Sequence, residues 1–563
     1  MSNKKLLIVN NEKNLNFILK KKISKELKVL TFSPNIFSLL INSKLRESTL
    51  YPNHFFKTKH HKLIIDKLLN INKKLEIDKS FDQNEKVYLR YLFQIVLSSS
   101  FFIWYSLGNQ SNWYYIDKNK IFKTINKKVI FNITVNQLFD NYQKNFFGQL
   151  SKYNNSLCLR LNFLLNKLNI FFLIGNFDII SNKKFSKNTN KKTLTLNKTN
   201  KLYIFKNILN IFSNIFVKNK AIEFTPSRKL SINSNNKNIV NFFDKHLKIF
   251  NSQNIIINNL SNSLAYNQEI FNLFKVLFAK SNIKNFLTDE IKYRESLVLS
   301  QYLKKYKPKT KIYLASHGTH PPLAKDKYAN FQIIENSDGL LISKFADFSI
   351  IQSKISKNYI TSSKINGLKK IISKPISWSV SDVSIPEKLN ISKNITILHA
   401  STPKSLCSRP YLYESPFEYI ENLNYLIDQL SQIKDIKLII RPRFTPEFNF
   451  QSFKNLILKS EKVELSINNS FFTDLYRSDA LISSSSTTIE EALYMKKPVL
   501  IYNCLGYNHF QFYKIKKEDP IFVLNKNKNF KKSFMKIKPL LNIKNLNYNK
   551  FIWNKAIPSF KIK

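Results

Sequence analysis

The sequence predicts an α/β protein with two Rossmann-like domains, and three observations carry this prediction. The chain has 563 residues, more than one hydrophobic core normally supports, so at least two domains are expected. Residues 479–502 follow the pattern strand, hydroxyl-rich turn, helix and strand, which is the repeating unit of a parallel sheet. Short apolar runs that alternate with helical segments form two series, one on each side of residues 376–393.

The first series is predicted to form an N-terminal α/β domain, residues 1–375, with extra helical and inserted segments. Apolar runs at 6–10 and 28–32 predict two strands on either side of a short helix. Residues 33–180 show a mainly helical mixture of apolar residues and lysines. Residues 181–200 are polar and predict a mobile linker or a surface insertion.

Three more strands are predicted in this domain, at 311–316, 346–352 and 367–373. The uncharged, aromatic run from Tyr91 to Tyr115 is long enough to cross a membrane, but Gln94 and three consecutive serines interrupt it. A buried helix or strand is therefore expected there.

The second series follows a connector at 376–393 and predicts a nucleotide-binding Rossmann-like domain at 394–545, with a tail at 546–563. Six short strands are expected, at 395–398, 436–440, 463–467, 480–483, 499–502 and 521–524. Helical segments between them, including an amphipathic one at 416–432, favour a doubly wound parallel sheet. Such sheets bind ligands outside the carboxyl ends of their strands.

Polar groups follow three of these predicted strands, at 399–402, 441–443 and 483–488. The last group puts four serines and two threonines at a helix N-terminus, where free N–H groups attract phosphate. The alternative is a capping box between Thr487 and Glu490, but a cap needs only one hydroxyl. We therefore expect five residues of this serine loop to bind a phosphate group: Ser484, Ser485, Ser486, Thr487 and Thr488.

Arginine is rare in this lysine-rich chain, and its positions are informative for that reason. Arg441 and Arg443 follow a predicted strand and stand next to prolines. A planar guanidinium binds phosphate in a bidentate manner, so both residues are expected to contact phosphate. The alternative is two surface arginines on an ordinary loop. His399 and Ser401, at the end of another predicted strand, are secondary candidates.

Composition narrows the possible functions. The formal net charge of +53 comes mainly from lysines spread along the whole chain, which is typical of A+T-rich coding. Such a charge would still favour an anionic membrane surface or a polyanionic substrate. Three separated cysteines favour a reducing cytoplasm over disulfides or zinc. The first apolar run is too short for a signal peptide, so a cytoplasmic location, including the inner face of the membrane, is expected.

Motifs for cofactor binding do not occur in the sequence. Glycine is scarce, with 7 residues, and neither GxGxxG nor GxxxxGK[ST] is present, which argues against NAD enzymes and P-loop NTPases. No two aspartates stand in an Asp-x-Asp arrangement, so a metal-dependent sugar transferase is not expected. We expect neither a metal nor another cofactor.

The segment STTIEEALYMKKPVL resembles the nucleotide-binding half of GT-B glycosyltransferases, and the resemblance covers about residues 290–540. It implies two Rossmann-like domains that face a cleft, with the small-residue loop on the phosphates of a sugar donor. A glutamate seven residues before a proline then binds the ribose, which implies this role for Glu491, before Pro498, and leaves Glu490 as the capping residue. The alternative for Glu491 is a solvated carboxylate on the helix surface.

Two other resemblances refine this expectation. The serine cluster is similar to that of capsule-type transferases of CMP-activated sugars, although these carry a His-Pro pair where this chain has Arg441-Pro442-Arg443. The segment His317-Gly318-Thr319 resembles the histidine loop of CDP-glycerol-type glycerophosphotransferases. That likeness implies that His317 deprotonates the acceptor hydroxyl, with Gly318 and Thr319 beside it. Imidazole titrates near neutral pH, as a general base requires.

The expected function is a metal-independent, inverting glycosyltransferase that moves a sugar from a nucleotide-sugar to a hydroxyl of a surface polysaccharide or lipid-linked glycan. The nearest alternative is a glycerophosphate or polyol-phosphate transferase with a CDP-activated donor. A UDP-sugar 2-epimerase shares the serine-loop pattern but normally needs a shorter chain. The alternative from another class is a non-catalytic basic protein that binds nucleic acid through its lysines, for which no motif is present.

Overall fold

Three β-sheets organise the part of the chain that the computed structural model describes. This part comprises residues 5–142, 175–180, 193–196, 222–224, 237–316, 324–362, 370–373, 394–401, 414–444, 448–483, 486–503, 516–542 and 546–553, apart from 22, 23, 25, 111, 252, 253, 293, 527 and 528. The predicted connector at 376–393 lies outside the described residues.

The first sheet has five strands in the order β3-β2-β1-β4-β5. Its strands are β1 (Lys5–Ile8), β2 (Leu27–Leu30), β3 (Thr49–Leu50), β4 (Asn112–Asp117) and β5 (Lys120–Thr124). All neighbours pair in parallel except β4 and β5, which form an antiparallel hairpin. The helices of this unit are α1 (Glu12–Lys20), α2 (Pro34–Ile41), α3 (Thr58–Ile77), α4 (Gln83–Ser106) and α5 (Lys127–Tyr142), with single 3-10 turns at Arg46–Ser48 and Pro52–His54.

The second sheet has seven strands in the order β12-β11-β10-β9-β6-β7-β8, all parallel. Its strands are β6 (Gly175–Ile180), β7 (Thr193–Leu196), β8 (Ile222–Phe224), β9 (Ser281–Thr288), β10 (Lys311–Ala315), β11 (Phe348–Ile351) and β12 (Lys370–Ser373). The helices described with it are α6 (Lys237–His246), α7 (Ile255–Leu277), α8 (Arg294–Tyr306), α9 (Lys327–Ser337) and α10 (Lys354–Ser362).

The third sheet has six parallel strands in the order β15-β14-β13-β16-β17-β18. Its strands are β13 (Ile395–Ser401), β14 (Ile436–Pro442), β15 (Val463–Leu465), β16 (Ala480–Ser483), β17 (Val499–Asn503) and β18 (Ile521–Asn525). The helices are α11 (Pro416–Ser431), α12 (Phe450–Leu456), α13 (Phe471–Tyr476), α14 (Thr488–Tyr494) and α15 (Phe530–Ile537), followed by 3-10 turns at Lys538–Asn542 and Tyr548–Lys550.

The second and third sheets share one topology. Numbered from its own first strand, each runs 3-2-1-4-5-6, and the second sheet adds a seventh strand at the end. This is the order of doubly wound Rossmann-like domains. The prediction of an α/β fold with two such domains is therefore confirmed, and the six strands predicted in the C-terminal domain are all present.

The N-terminal part contains two sheets where the sequence predicted one domain with helical extras. Within the stretch predicted to be mainly helical, residues 112–124 form the β4–β5 hairpin. Part of the predicted linker at 181–200 is also a strand, because β7 pairs in parallel with β6. Its alternating sequence Thr-Leu-Thr-Leu has the period of a strand, a signal that the polar flanks concealed.

Helix α4 is the central element of the N-terminal part. Among the described helices it is the one long and apolar enough to cross a membrane, but most of its apolar window is buried inside the fold, as core helices also are. The prediction of a buried helix is confirmed for residues 91–106. One hydrophobic core runs from β1 through α4 and α7 to β9, so the first two sheets share a core, whereas the third sheet has its own.

The first unit also contacts the third sheet's domain. Tyr51 Oη and Asn53 Nδ2 donate hydrogen bonds to the Glu421 carboxylate of α11, at 2.5 and 2.8 Å. His61 Nε2 on α3 lies 3.3 Å from Glu418 Oε1. Phe37 packs edge-on against Phe417, with ring centroids 5.5 Å apart. The five-stranded unit therefore shares a core with the second sheet and contacts the third through hydrogen bonds and through Phe37 and Ile41, which pack against its core.

Candidate nucleotide site

The polar groups predicted at strand ends lie along one edge of the third sheet. In the register of β13, His399 is opposite Ile440 of β14 and Ile482 of β16, and Ser401 is opposite Pro442. The strands are parallel, so their carboxyl ends meet at this edge. The last residues of β13, Arg441 near the end of β14 and Ser483 at the end of β16 therefore lie at the same edge of the sheet.

The serine loop stands at the switch point of the sheet. Strands β13 and β16 are neighbours, although they are the first and fourth strands of the series. Connections on the two sides of this pair run in opposite directions, which opens a crevice at the carboxyl ends. Doubly wound proteins bind their ligands in that crevice.

Two hydroxyl groups at the ends of the loop lack partners among the described residues. Ser483 is almost fully buried at the end of β16, and its Oγ has no hydrogen bond. Thr488 Oγ1, at the start of α14, is likewise buried and unpartnered. Buried hydroxyls without partners are uncommon, because each costs about 1–3 kcal/mol. Ser484 and Ser485 lie outside the described residues.

The capping box between Thr487 and Glu490, the alternative to a ligand loop, is not formed. Thr487 has helical dihedral angles, φ −62° and ψ −22°, and its side chain caps nothing. A residue in this conformation does not turn its oxygen toward the N–H groups of the first turn, as an extended N-cap residue does. Ser486 Oγ accepts from the Thr488 N–H instead, at 3.3 Å. Glu490, the predicted capping partner, is buried against the fold.

Glu491, on α14, has a largely buried carboxyl group. Burial and the neighbouring Glu490 raise the pKa of Glu491 to about 7. A carboxyl group with this pKa is present in both protonation states near neutral pH. It can then accept a hydrogen bond from a ligand hydroxyl, and binding favours the ionised form.

The two arginines at the end of β14 have different surroundings. Arg441 Nη1 lies 3.2 Å from Asp474 Oδ2 and also donates to the Asn469 carbonyl. Arg443 is exposed and has no hydrogen bond or ion pair with the described residues. Arg441 is therefore tied to the β15 side of the edge, while Arg443 is available to a ligand.

Asp474 was not singled out by the sequence, although it organises this side of the edge. It is fully buried on α13 and accepts from Ser466 Oγ at 2.6 Å and Asn469 Nδ2 at 2.9 Å. Arg477 Nη2 donates at 2.9 Å to Asp474 Oδ1, the oxygen that also accepts from Asn469. Arg477 thus serves the fold. The one available signal was the Asp-x-x-Arg spacing on a helix, which favours an ion pair one turn apart.

Of the two candidate histidines, the structure describes His399 but not His317. His399 is buried in β13, and burial lowers its pKa to about 4, so the ring is neutral at physiological pH. It therefore cannot act as a base that cycles through a charged state near neutrality. His317, Gly318 and Thr319 lie outside the described residues, as does the side chain of Ser401.

The serine-loop helix faces the carboxyl edge of the second sheet. Tyr494 Oη, at the end of α14, donates to the carbonyl of Gln352 at 2.6 Å, and Gln352 directly follows β11. In the neighbouring strand, the N–H of Ser316 donates to the Ile350 carbonyl at 2.7 Å. Ser316, the residue before His317, is therefore beside β11 at the edge that α14 contacts.

The fold and the site define a protein of two doubly wound domains. The third sheet carries a hydroxyl-rich loop at its switch point, and the carboxyl ends of strands in the second sheet lie near the helix that follows this loop. No protein-family model and no curated protein matches the chain. Similar solved structures include a Staphylococcus aureus MnaA–UDP co-structure, at a TM-score of 0.37 and 13% identity, covering 67% of this chain and 90% of that one.

Two further structures illustrate the range of matches. UDP-GlcNAc 2-epimerase from Neisseria meningitidis, bound to UDP-GlcNAc, gives a TM-score of 0.38 at 12% identity, over 67% of this chain and 94% of that one. Sucrose-phosphate synthase from Thermosynechococcus elongatus gives 0.33 at 11%, over 67% and 93%. Likenesses at these scores say nothing about the chemistry of this chain, which has to be inferred from its site.

Proposed function

We propose that the protein is a glycosyltransferase that moves a sugar from a nucleotide-sugar donor to an acceptor hydroxyl. The observation that carries the proposal is the serine loop at the switch point, with the hydroxyls of Ser483 and Thr488 at its two ends, which have no partner among the described residues. Phosphate oxygens are strong acceptors, so they satisfy hydroxyl donors that the protein leaves unpaired. A nucleotide-sugar supplies both a phosphate for the loop and a ribose hydroxyl for Glu491.

Each site residue is assigned a role in binding the donor. Ser484, Ser485, Ser486, Thr487 and Thr488 hold the phosphates, and Glu491 accepts from a ribose hydroxyl. Arg443 contributes the free guanidinium. Arg441 uses Nη1 for Asp474 and Asn469, which leaves other N–H donors of its fork for the leaving phosphate. Helix α14 has only seven residues, so the hydroxyls contribute more than its dipole.

The proposed reaction is a direct displacement with inversion. The acceptor oxygen attacks the anomeric carbon, the bond from that carbon to the phosphate oxygen breaks, and the nucleotide leaves with the electron pair. His317 takes the acceptor proton. Fixed donors on the developing phosphate charge contribute about 10²–10³-fold each, and a general base about 10²–10⁴-fold. The acceptor belongs to a surface polysaccharide or lipid-linked glycan, reached from the cytoplasmic side.

The test is nucleotide binding by the intact chain. Thermal unfolding with CMP, UDP, GDP or CDP should show stabilisation by one of them, about 2.7 kcal/mol at 100 times the dissociation constant. Thr488→Val removes the unpartnered hydroxyl at nearly constant volume and should weaken binding about tenfold. Thr361→Val on α10, whose hydroxyl donates to the Lys357 carbonyl of the same helix at 3.0 Å, is the matched control.

Equal affinities for the two variants would contradict the role of the serine loop. If a nucleotide binds, incubation with CDP-glycerol and with the matching nucleotide-sugar distinguishes polyol-phosphate transfer from sugar transfer. If none binds while DNA does so with a steep salt dependence, the nucleic-acid alternative stands.

A further inference from the structure

An exposed apolar and cationic surface lies at the edge of the first sheet, far in sequence from the candidate nucleotide site. We call residues 118–129, which comprise the end of the β4–β5 hairpin and the start of α5, the hairpin face. Strand β5 is an edge strand whose side chains are exposed from Lys120 to Lys123. Proteins usually protect such edges, and exposed apolar clusters mark interaction sites.

Four large apolar side chains are exposed on the hairpin face: Ile121 (38%), Phe122 (40%), Ile125 (75%) and Val129 (40%). Lysines lie between them along the strand and the following turn. Because neighbouring residues of a strand point to opposite faces, Ile121 and Phe122 project on two sides of the edge. The apolar groups therefore surround the edge of the sheet and do not form a flat patch.

Half-exposed aromatic rings adjoin the hairpin face. Phe122 stacks on Tyr115 at 5.5 Å between ring centroids. The Lys127 ammonium lies 4.6 Å from the centre of the Trp104 ring. Next to Trp104, Tyr105 stacks on His60 at 5.1 Å. Tyrosine and tryptophan at the border of an apolar surface are typical of groups that lie at the level of lipid head groups.

The net charge of this surface is positive. Residues 117–129 contain five lysines (118, 120, 123, 127 and 128) and one acidic residue, Asp117, a local excess of four positive charges. Lys57 and Lys59 extend this positive surface beyond the hairpin face. Burial lowers the pKa of His60, and both lysines lie close enough to it for their charges, with that of Lys127, to lower this pKa further. Lysines beside an anionic bilayer each strengthen binding, and their stems pack along apolar surface.

We propose that the hairpin face docks on the surface of an anionic lipid bilayer, with Phe122 and Ile125 in the interfacial region and the lysines against the head groups. Exposed apolar side chains, interfacial aromatics and an excess of lysine together match the chemistry of that surface. A nucleic acid would neutralise the lysines but leave the apolar side chains in water. The inference gives the membrane contact of the proposed function a location, but it does not depend on the sugar chemistry.

The test measures binding of the full chain to phosphatidylcholine vesicles with and without an equal share of phosphatidylglycerol. The parent should bind the anionic vesicles more tightly. Lys120→Gln/Lys123→Gln should weaken this binding about 25-fold, because each lysine near the surface accounts for about fivefold. Phe122→Ser/Ile125→Ser should weaken it at least tenfold. Lys531→Gln/Lys536→Gln on α15 removes the same charge elsewhere and should have less than a twofold effect.

Three results would overturn the proposal: equal losses for the two lysine pairs, parent-like binding by the serine variant, or DNA binding that depends on the hairpin face while vesicles are not bound. Quenching of Trp104 by brominated lipid, absent in Trp104→Phe, reports the depth of this face directly. Thermal unfolding with the preferred nucleotide should be the same for parent and hairpin variants. A failure of membrane docking is therefore distinguishable from a failure of the proposed function.

Discussion

Asp474 illustrates how one buried carboxylate determines which cations remain available to a ligand. Burial alone would raise the pKa of Asp474, but hydrogen bonds from Ser466, Asn469, Arg477 and Arg441 lower it. Its contribution to stability is therefore complete above the ordinary value of 3.8 and is lost as the pH falls further. Arg441 is part of this network, whereas Arg443 is not.

Asp474→Ala should destabilise the protein by about 3–5 kcal/mol, because it leaves Arg441 and Arg477 without their buried partner. Arg443→Ala should change the free energy of unfolding by less than about 0.5 kcal/mol but weaken nucleotide binding. Urea unfolding and nucleotide titration measure the two quantities. Unchanged nucleotide affinity in Arg443→Ala would remove this residue from the site.

Glu491 gives the site a dependence on pH. Its pKa rises from the ordinary 4.5 to about 7 in the folded chain, so the folded state holds the proton more tightly than the unfolded state. The free energy of unfolding should therefore fall between pH 4.5 and 7, by up to roughly 3 kcal/mol. Glu491→Gln should lack this fall and be more stable than the parent at pH 8, yet bind nucleotide less well.

Thermal unfolding of both proteins at pH 5 and pH 8 checks this expectation. A parent and variant that lose stability in parallel would show that Glu491 does not titrate in this range. Glu12→Gln, on the first turn of α1, controls for the loss of one carboxylate at a distant site.

At the scale of elements, α11 links the third sheet to the first unit. Ser415 and Glu418 form a capping box, in which Ser415 Oγ accepts from the Glu418 N–H at 3.3 Å and Glu418 Oε2 accepts from the Ser415 N–H at 2.8 Å. The same carboxylate approaches His61 of α3. Burial would raise the pKa of Glu418, but the hydrogen bond with His61 and those within the cap lower it.

Removing the cap and removing the contact with α3 should therefore have separable effects. Ser415→Ala should destabilise by about 1 kcal/mol, the usual loss for an N-cap. Glu418→Ala should destabilise by about 3 kcal/mol or more, because it also leaves His61 buried without a partner. Chemical unfolding at pH 7 measures both. Equal losses would mean that the contact with His61 adds nothing to the cap.

At the scale of the whole molecule, the hydrophobic cores define which parts of the chain can fold alone. The third sheet has its own core, in which the buried side chains come almost entirely from residues 395–552. The core of the first unit continues through α4 into α7 and β9 of the second sheet. Cooperative folding follows the core and not the number of sheets.

A fragment of residues 394–553 should therefore unfold in one cooperative thermal transition, whereas residues 1–142 should not. Circular dichroism during heating distinguishes these outcomes. The nucleotide that stabilises the full chain should also stabilise the C-terminal fragment, more weakly, since the second sheet is missing. A fragment of 1–142 with a sharp transition would contradict the shared core.

The predictions for the third sheet were close because its strands are short buried runs with clear limits. Strand β16 was predicted with its observed bounds, and α14 ends at Tyr494, ahead of Pro498 and β17. The β4–β5 hairpin was missed because its second strand is exposed and carries lysines in place of an apolar face. The serine loop and the arginines were found as strand-end residues, but the partner of Arg441 was not, since Asp474 reaches it only through the pairing of β14 with β15.

By itself, the sequence determined the doubly wound sheet of the C-terminal domain and the edge at which polar groups collect, because burial and turn chemistry follow from local patterns. Only the tertiary structure decided which of those polar groups are hydrogen-bonded to other parts of the protein and which remain available to a ligand. Partners such as Asp474 and Arg441, or Tyr494 and Gln352, are distant in sequence and meet only through strand order and domain contact. It also decided that the first unit shares a core with the second sheet, which depends on where α4 is buried.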